Sequence, residues 1–248
     1  MEEKNSRNQA MNNGFAATYD RFIQRQGLLP RGLAELVGSY APGEILEFGV
    51  GTGTVAVGLS ILGHKVTGVD LSRDMLKEAR RKAHRHGVSV ELKEGDMVAL
   101  NLNRQFGLLL CLGNTLPLVT GLRQARRLLK NCHSHIRPGG RAVFQIVNYD
   151  RILKEKPTTF SIDCTDDLVR IKQYRYRRGT IDFVVSLVDS GTIPPAVKTV
   201  TKRIRPWTKK DLAAELEKAG FEKIQAYGDY LRSEFRISSK DLIMVAEK

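Results

Sequence analysis

Three carboxylates and a run of glycines are spaced as a ligand-binding sheet edge would require. Glu47 is followed by Gly49, Gly51 and Gly53 in Glu-Phe-Gly-Val-Gly-Thr-Gly. Glycines at that spacing let a chain turn tightly after a strand and bring backbone N–H groups against a ligand at a helix N-terminus. Such a loop does not choose its ligand, because a nicotinamide-dinucleotide loop begins the same way. Charge separates the two. A carboxylate at Glu47 repels a pyrophosphate and attracts the ammonium and sulfonium of S-adenosylmethionine. The third glycine also falls one residue early for GxGxxG, whose last position here is Thr54. The competing reading of Glu47 is a carboxylate that only complements the following helix N-terminus. Asp70, with Leu71 beside it, ends Lys-Val-Thr-Gly-Val-Asp, where a carboxylate accepts ribose hydroxyls. Alone, Asp70 fits NAD equally. Asp96, in Gly-Asp-Met, is placed to accept from an adenine amino group, with the Met97 N–H serving the ring nitrogen.

Those residues need strands ending along one edge, and the pattern supplies them. Short apolar runs over residues 44–49, 65–70, 89–96, 106–112 and 141–149 alternate with helical stretches over 54–62, 73–86 and 122–136. That alternation predicts βαβ units and a parallel sheet. Ser72 reads as the N-cap of the basic helix 73–86, with Met75, Leu76 and Ala79 inward and Lys and Arg on the polar face. Pro138-Gly139-Gly140 separates the third helix from the fifth strand. Residues 158–205 then switch to two-residue alternation, with a hairpin at Arg178-Gly179. Thr208 and Gly220 cap a helix over 208–221, and two strands close the chain. The expected organisation is an N-terminal helical lid segment (1–42), a cofactor-binding Rossmann-like domain (43–157 and 206–248) and an antiparallel β insertion (158–205).

Read together, ILEFGVGTG, VTGVDLS, EGDM and the RPGG turn resemble the ordered motifs of class I S-adenosylmethionine-dependent methyltransferases, from about Tyr19 to the final strand. The resemblance implies an α/β fold, a Rossmann-like seven-stranded, mostly parallel sheet whose last strand is antiparallel. One departure is Gly107, where many members carry Asp. CLGNTLP (111–117) and QIVNYDRI (145–152) are similar to the glycine/sarcosine-type small-molecule N-methyltransferases. By that likeness the Leu112 backbone holds the methionine end of the cofactor. Asn114 and Thr115 face the acceptor, and Asn148 and Tyr149 line the same cleft from the fifth strand. Core packing is the competing role for Tyr149. Tyr19-Asp20-Arg21 resembles the segment that covers the cofactor, with Tyr19 near the sulfonium and Arg25 or Arg31 pairing with the methionine carboxylate. The function implied is methyl transfer to a small-molecule acceptor, an amine or amino acid nitrogen, oriented by Tyr19, Asn114 and Asn148.

Net charge of +13 keeps a nucleic-acid methyltransferase in view. The insertion places Arg170, Lys172, Arg175, Arg177 and Arg178 among Tyr174 and Tyr176, a composition able to track a backbone and stack bases. Against it, the fourth strand runs into Leu-Gly-Asn rather than the (D/N)PP(Y/F) loop of exocyclic-amine methyltransferases. A non-catalytic cofactor-binding protein and a nicotinamide oxidoreductase are further alternatives. Cys111, Cys132 and Cys164 lie far apart and read as buried or half-buried free thiols. No histidine is assigned a catalytic role and no metal is expected, although Asp150 leaves a magnesium site open. The polar first residues and the short, interrupted apolar run 106–119 point to a cytoplasmic chain with no membrane partner. Exposed strand edges on the insertion leave room for a homodimer.

Overall fold

Leu108 and Leu110 point to one side of strand β4 (Phe106–Cys111), Leu109 and Cys111 to the other, and all four are fully buried. A strand apolar on both faces needs cover on both. It has it in the computed structural model, which describes residues 27–165, 167–191 and 194–248. The other strands of its sheet are β1 (Glu44–Phe48), β2 (Lys65–Asp70), β3 (Glu91–Glu94), β5 (Ile136–Val147), β10 (Glu222–Tyr227) and β11 (Asp241–Glu247). Their order is β10-β11-β5-β4-β1-β2-β3, with β11 antiparallel to both neighbours and the β5–β4–β1–β2–β3 pairs parallel. Helices α1 (Leu33–Gly38), α2 (Thr54–Ile61) and α3 (Arg73–Arg85) bury Leu33, Leu36, Ala56, Leu59 and Leu76 on one face. Helices α4 (Leu122–Ser134) and α6 (Lys209–Ala219) bury Leu128, Leu129, Leu212 and Leu216 on the other. No helix among the described residues is long and apolar enough to cross a membrane.

The caps read from sequence are present. Ser72 Oγ accepts from the Met75 N–H at 3.3 Å, Thr208 Oγ1 accepts from Asp211 N–H at 3.1 Å, and Gly220 closes α6 at φ 102°. Several boundaries differ. Strand β5 starts at Ile136, because Pro138-Gly139-Gly140 bulges out between the Phe106–Ile136 and Leu108–Arg141 pairs instead of ending the element. The bulge is held by Gly139 N–H to the Lys248 carbonyl (2.8 Å) and Lys248 N–H to the Gly140 carbonyl (3.0 Å). Strand β5 also ends at Val147, so Tyr149 opens a helix, α5 (Tyr149–Glu155), too short to show periodicity in the sequence. Strand β3 stops at Glu94, leaving Asp96 in the turn beyond it. Lys82 leaves the polar face of α3: it is buried, and its Nζ donates to Thr54 Oγ1 at 2.6 Å. Cys111 and Cys132 are buried, but Cys164 is exposed.

The insertion is a four-stranded antiparallel sheet of β6 (Thr159–Cys164), β7 (Leu168–Arg177), β8 (Thr180–Asp189) and β9 (Ala196–Ile204), in that order. Arg178-Gly179 turns the β7–β8 hairpin, with Arg177 opposite Thr180. Its inner face joins the main body at two places. Met75, at the start of α3, packs with Leu168, Val185, Leu187 and Val200. Tyr174, Ile181 and Ile204 join the core on the α4–α6 side. The insertion therefore stands against the carboxyl ends of the parallel strands, where open α/β sheets bind ligands.

Candidate active site

Glu47 shares the parity of Ile45 and so faces α2, away from Leu46 and Phe48. It is 4% exposed, and its Oε2 has no hydrogen-bond partner. Burial, with the Asp70 charge added, pushes its carboxyl up to about 8, partly offset by the Ala56 backbone N–H. Asp70 Oδ2 accepts from the Gly51 N–H and Oδ1 from the Ser72 N–H, both at 2.9 Å. One carboxylate thus fixes the glycine loop and the start of α3, and it keeps lone pairs for a ligand. Gly49, at φ 71°, is held where any Cβ would overlap the Thr115 side chain. Gly51, at φ 54°, faces open space, so its backbone is accessible to a ligand. Gly53 lets Ala79 of α3 approach closely. Asp96 is exposed and caps its own turn, Oδ1 accepting from Val98 N–H at 2.9 Å. Leu71 and Met97 beside these carboxylates are half-buried.

Beyond β4 the chain is tied down by side chains. Leu112 is buried, and its carbonyl accepts from both Thr115 Oγ1 (2.7 Å) and Thr115 N–H (3.3 Å). Its carbonyl is thus committed to Thr115, itself 9% exposed, and the Asn114 N–H that follows donates to the Gln145 carbonyl at 3.2 Å. Asn114 takes φ 62° and exchanges hydrogen bonds with Tyr149 Oη at 2.8 and 3.1 Å, while Oδ1 also accepts from Val147 N–H at 3.1 Å. Tyr149 is fully buried, and burial raises its hydroxyl above the ordinary tyrosine range. Its role is core packing and the support of Asn114. Asn148 is corrected more sharply. It is 0% exposed, and Nδ2 donates to the Arg236, Ile237 and Ser239 carbonyls at 3.2, 3.0 and 2.9 Å. Its Oδ1 caps α5 by accepting from Arg151 N–H, so this fully buried amide is a structural clasp.

Gln145 and Asp241 were not singled out by spacing. Gln145 Oε1 accepts from Gly113 N–H at 2.7 Å, and Nε2 donates to Asp241 Oδ1 at 3.0 Å. Burial pushes the Asp241 carboxyl up against the pull of Lys240. Tyr230 stands where Asp241 and Glu47 both act on its hydroxyl, which burial also raises. The signal that could have found Asp241 is topological: the first residue of an antiparallel last strand lies at the same edge as the ends of the parallel ones. Tyr19 and Arg25 lie outside the described residues. Arg31 is exposed, and its charge acts on Asp229. Asp150 Oδ2 accepts from the Lys209 N–H at the start of α6. His135 is buried with both ring nitrogens engaged, Nε2 accepting from Leu102 N–H at 3.0 Å and Nδ1 bonded to the Asn131 carbonyl at 2.8 Å. Gly107 departs from the family pattern for a steric reason: any Cβ there would run into the Pro42 carbonyl.

Residues 45–140 match the family profile described as a methyltransferase domain. The chain is 26% identical over 220 residues to glycine/sarcosine N-methyltransferase of Halorhodospira halochloris, covering 82% of this chain and 75% of that protein. It belongs to the class I S-adenosylmethionine-dependent methyltransferases. This methyltransferase is also 25% identical over 224 residues to the cypemycin N-terminal methyltransferase of a Streptomyces species, covering 88% of this chain and 89% of that one. An S-adenosylmethionine-dependent methyltransferase from Clostridium acetobutylicum superposes with a TM-score of 0.81 at 18% identity, over 95% of this chain and 98% of that one. S-adenosylmethionine is the methyltransferase's cofactor, and the residues present fit it. The buried, unpartnered Glu47 Oε2 calls for a cationic donor, and the open face of Gly51 admits one.

Proposed function

We propose that the methyltransferase methylates a nitrogen of a small amine or amino acid. The observation that carries this reading is Asp241, a half-buried carboxylate whose Oδ1 is fixed by Gln145, beside the Asn114 loop. An amine is mostly an ammonium near neutral pH and has no lone pair to offer until it loses a proton. A carboxylate raised by burial is suited to take that proton. Bound S-adenosylmethionine supplies a sulfonium methyl whose C–S bond breaks as the nitrogen lone pair forms the new bond. Gln145 holds Asp241 and the Gly113 amide in one geometry. Asn114, fixed by Tyr149, orients the acceptor. Most of the rate enhancement comes from alignment in a closed cleft.

The glycine/sarcosine N-methyltransferase named above carries a nitrogen acceptor in its name, which supports a nitrogen acceptor here. The nucleic-acid reading loses its main support on strand β7. Tyr174 is 3% exposed, and Arg170 is 8% exposed and paired with Asp163, while Arg175 and Arg177 point to the opposite face. The exposed Arg175 and Arg177 therefore share no face with Tyr174 and Tyr176. The test is transfer of an isotopically labelled methyl from S-adenosylmethionine into matched pairs of amines and alcohols. Label in the amines alone supports the proposal, and label in the alcohols alone overturns it.

A further inference from the structure

Lys202 lies on the inner face of β9 between Val200 and Ile204, which are 6% and 0% exposed. It is opposite Phe183 on β8, and Phe183 is opposite Tyr174 on β7. At ~4.8 Å per strand the row spans ~10 Å along the roof of the cleft. The Tyr174 and Phe183 rings touch, with centroids 5.6 Å apart, and Tyr174 lies within the influence of Asp241. At the other end of the row the charge acting on Lys202 is Asp70. The row thus runs from the cofactor-side carboxylate to the acceptor-side one.

Among the described residues the Lys202 ammonium has no hydrogen bond or ion pair. Its neighbours on the same face differ: Arg170 and Lys172 both pair with Asp163, at 2.9 and 3.4 Å. A half-buried cation with no counter-charge paired to it is costly to keep. Burial holds Lys202 below the ordinary lysine range, with Asp70 acting in the other direction. An incoming anion would supply the missing partner.

We propose that Lys202 binds an anionic group of the methyl acceptor, a carboxylate or a phosphoryl oxygen, and so selects an acceptor carrying both an amine and an anion. This deepens, and rests on, the small-amine reading above. The anion at Lys202 and the amine near Asp241 would lie at the two ends of the Lys202–Phe183–Tyr174 row. A cation on the roof also favours the neutral, nucleophilic form of the nearby amine.

The test has two arms that fail separately. In the first, the complex with S-adenosylhomocysteine is amidinated with ethyl acetimidate in chloride, acetate, inorganic phosphate or chloride plus acetamide at equal ionic strength. Labelling is read lysine by lysine by mass spectrometry. Acetate or phosphate should slow Lys202 at least fivefold while exposed Lys77 changes less than twofold, and whichever anion protects more identifies the group. Equal Lys202 rates in all four media, or equal protection by acetamide, overturn the proposal. In the second arm, Lys202→Met is compared with the parent. Turnover of glycine relative to glycinamide should fall at least tenfold, with S-adenosylhomocysteine affinity unchanged within twofold. A tenfold change in that affinity in either direction overturns the proposal, because Lys202 would then serve the cofactor or Asp70. The labelling decides the anion site even if no amine is methylated.

Discussion

Asp70 and Glu47 act on each other across the β1–β2 strand pair, where Glu47 is in register with Gly68, two residues before Asp70. Burial, with the Asp70 charge adding to it, raises the Glu47 carboxyl to about 8. In the free protein Glu47 is therefore mostly protonated at pH 7. Binding of a cationic cofactor favours its ionised form, so binding releases a proton. Affinity for S-adenosylmethionine should rise as pH approaches 8, by up to tenfold per unit. Calorimetry in buffers of different ionisation enthalpy measures the release. In Glu47→Gln both the proton release and the pH dependence disappear, and affinity falls at least tenfold.

The same carboxyl sets a stability trend in the absence of cofactor. Its folded pKa lies above the unfolded one, so between about pH 4.5 and about 8 the folded state holds more protons than the unfolded state. Stability therefore falls as pH rises through that window, by roughly 5 kcal/mol at most. Urea unfolding of the cofactor-free protein at pH 5 and pH 8.5 should show the fall, and Glu47→Gln should flatten it.

Asn148→Ala should cost stability. Removing the amide leaves the Arg236, Ile237 and Ser239 carbonyls without a buried donor and uncaps α5. A loss of ~2–4 kcal/mol in urea unfolding is expected. The kcat and KM of the folded fraction should stay within about threefold. A hundredfold loss of kcat at unchanged stability would restore the residue to the acceptor site.

Asp241→Asn should remove proton acceptance while keeping an oxygen for Gln145 Nε2. At neutral pH kcat should fall at least tenfold, with less loss at high pH, where the amine arrives already neutral. A pH–rate profile of the two proteins checks this, and parallel profiles would place Asp241 outside the chemistry.

The parts of this site legible in sequence are those set by neighbours in the chain. Glu47, the glycines and Asp70 follow from strand ends and loop chemistry, and Ser72 and Thr208 from cap preferences within four residues. The continuous apolar run of β4 marked a buried central strand because both of its faces are covered. What was hidden depends on contacts across the fold. Asn148 looked available because its three carbonyl partners return from 88 to 91 residues further on. The insertion could be read as antiparallel from its two-residue period, but not which face would dock, and that decides whether Lys202 or Arg203 looks into the cleft. Gly107 stood in the sequence only as a departure from the family pattern, and its reason, the Pro42 carbonyl in the space a Cβ would take, lies 65 residues away in the chain.

The most direct test of the account is calorimetric titration of S-adenosylhomocysteine and NADH into the parent and Asp70→Ala. Asp70 fixes the Gly51 and Ser72 amides and is assigned the ribose, so its removal should weaken S-adenosylhomocysteine about 100-fold, ~2.8 kcal/mol, with no NADH binding to either protein. Equal affinity in parent and variant, or binding of NADH, would contradict the assignment of this edge to the cofactor.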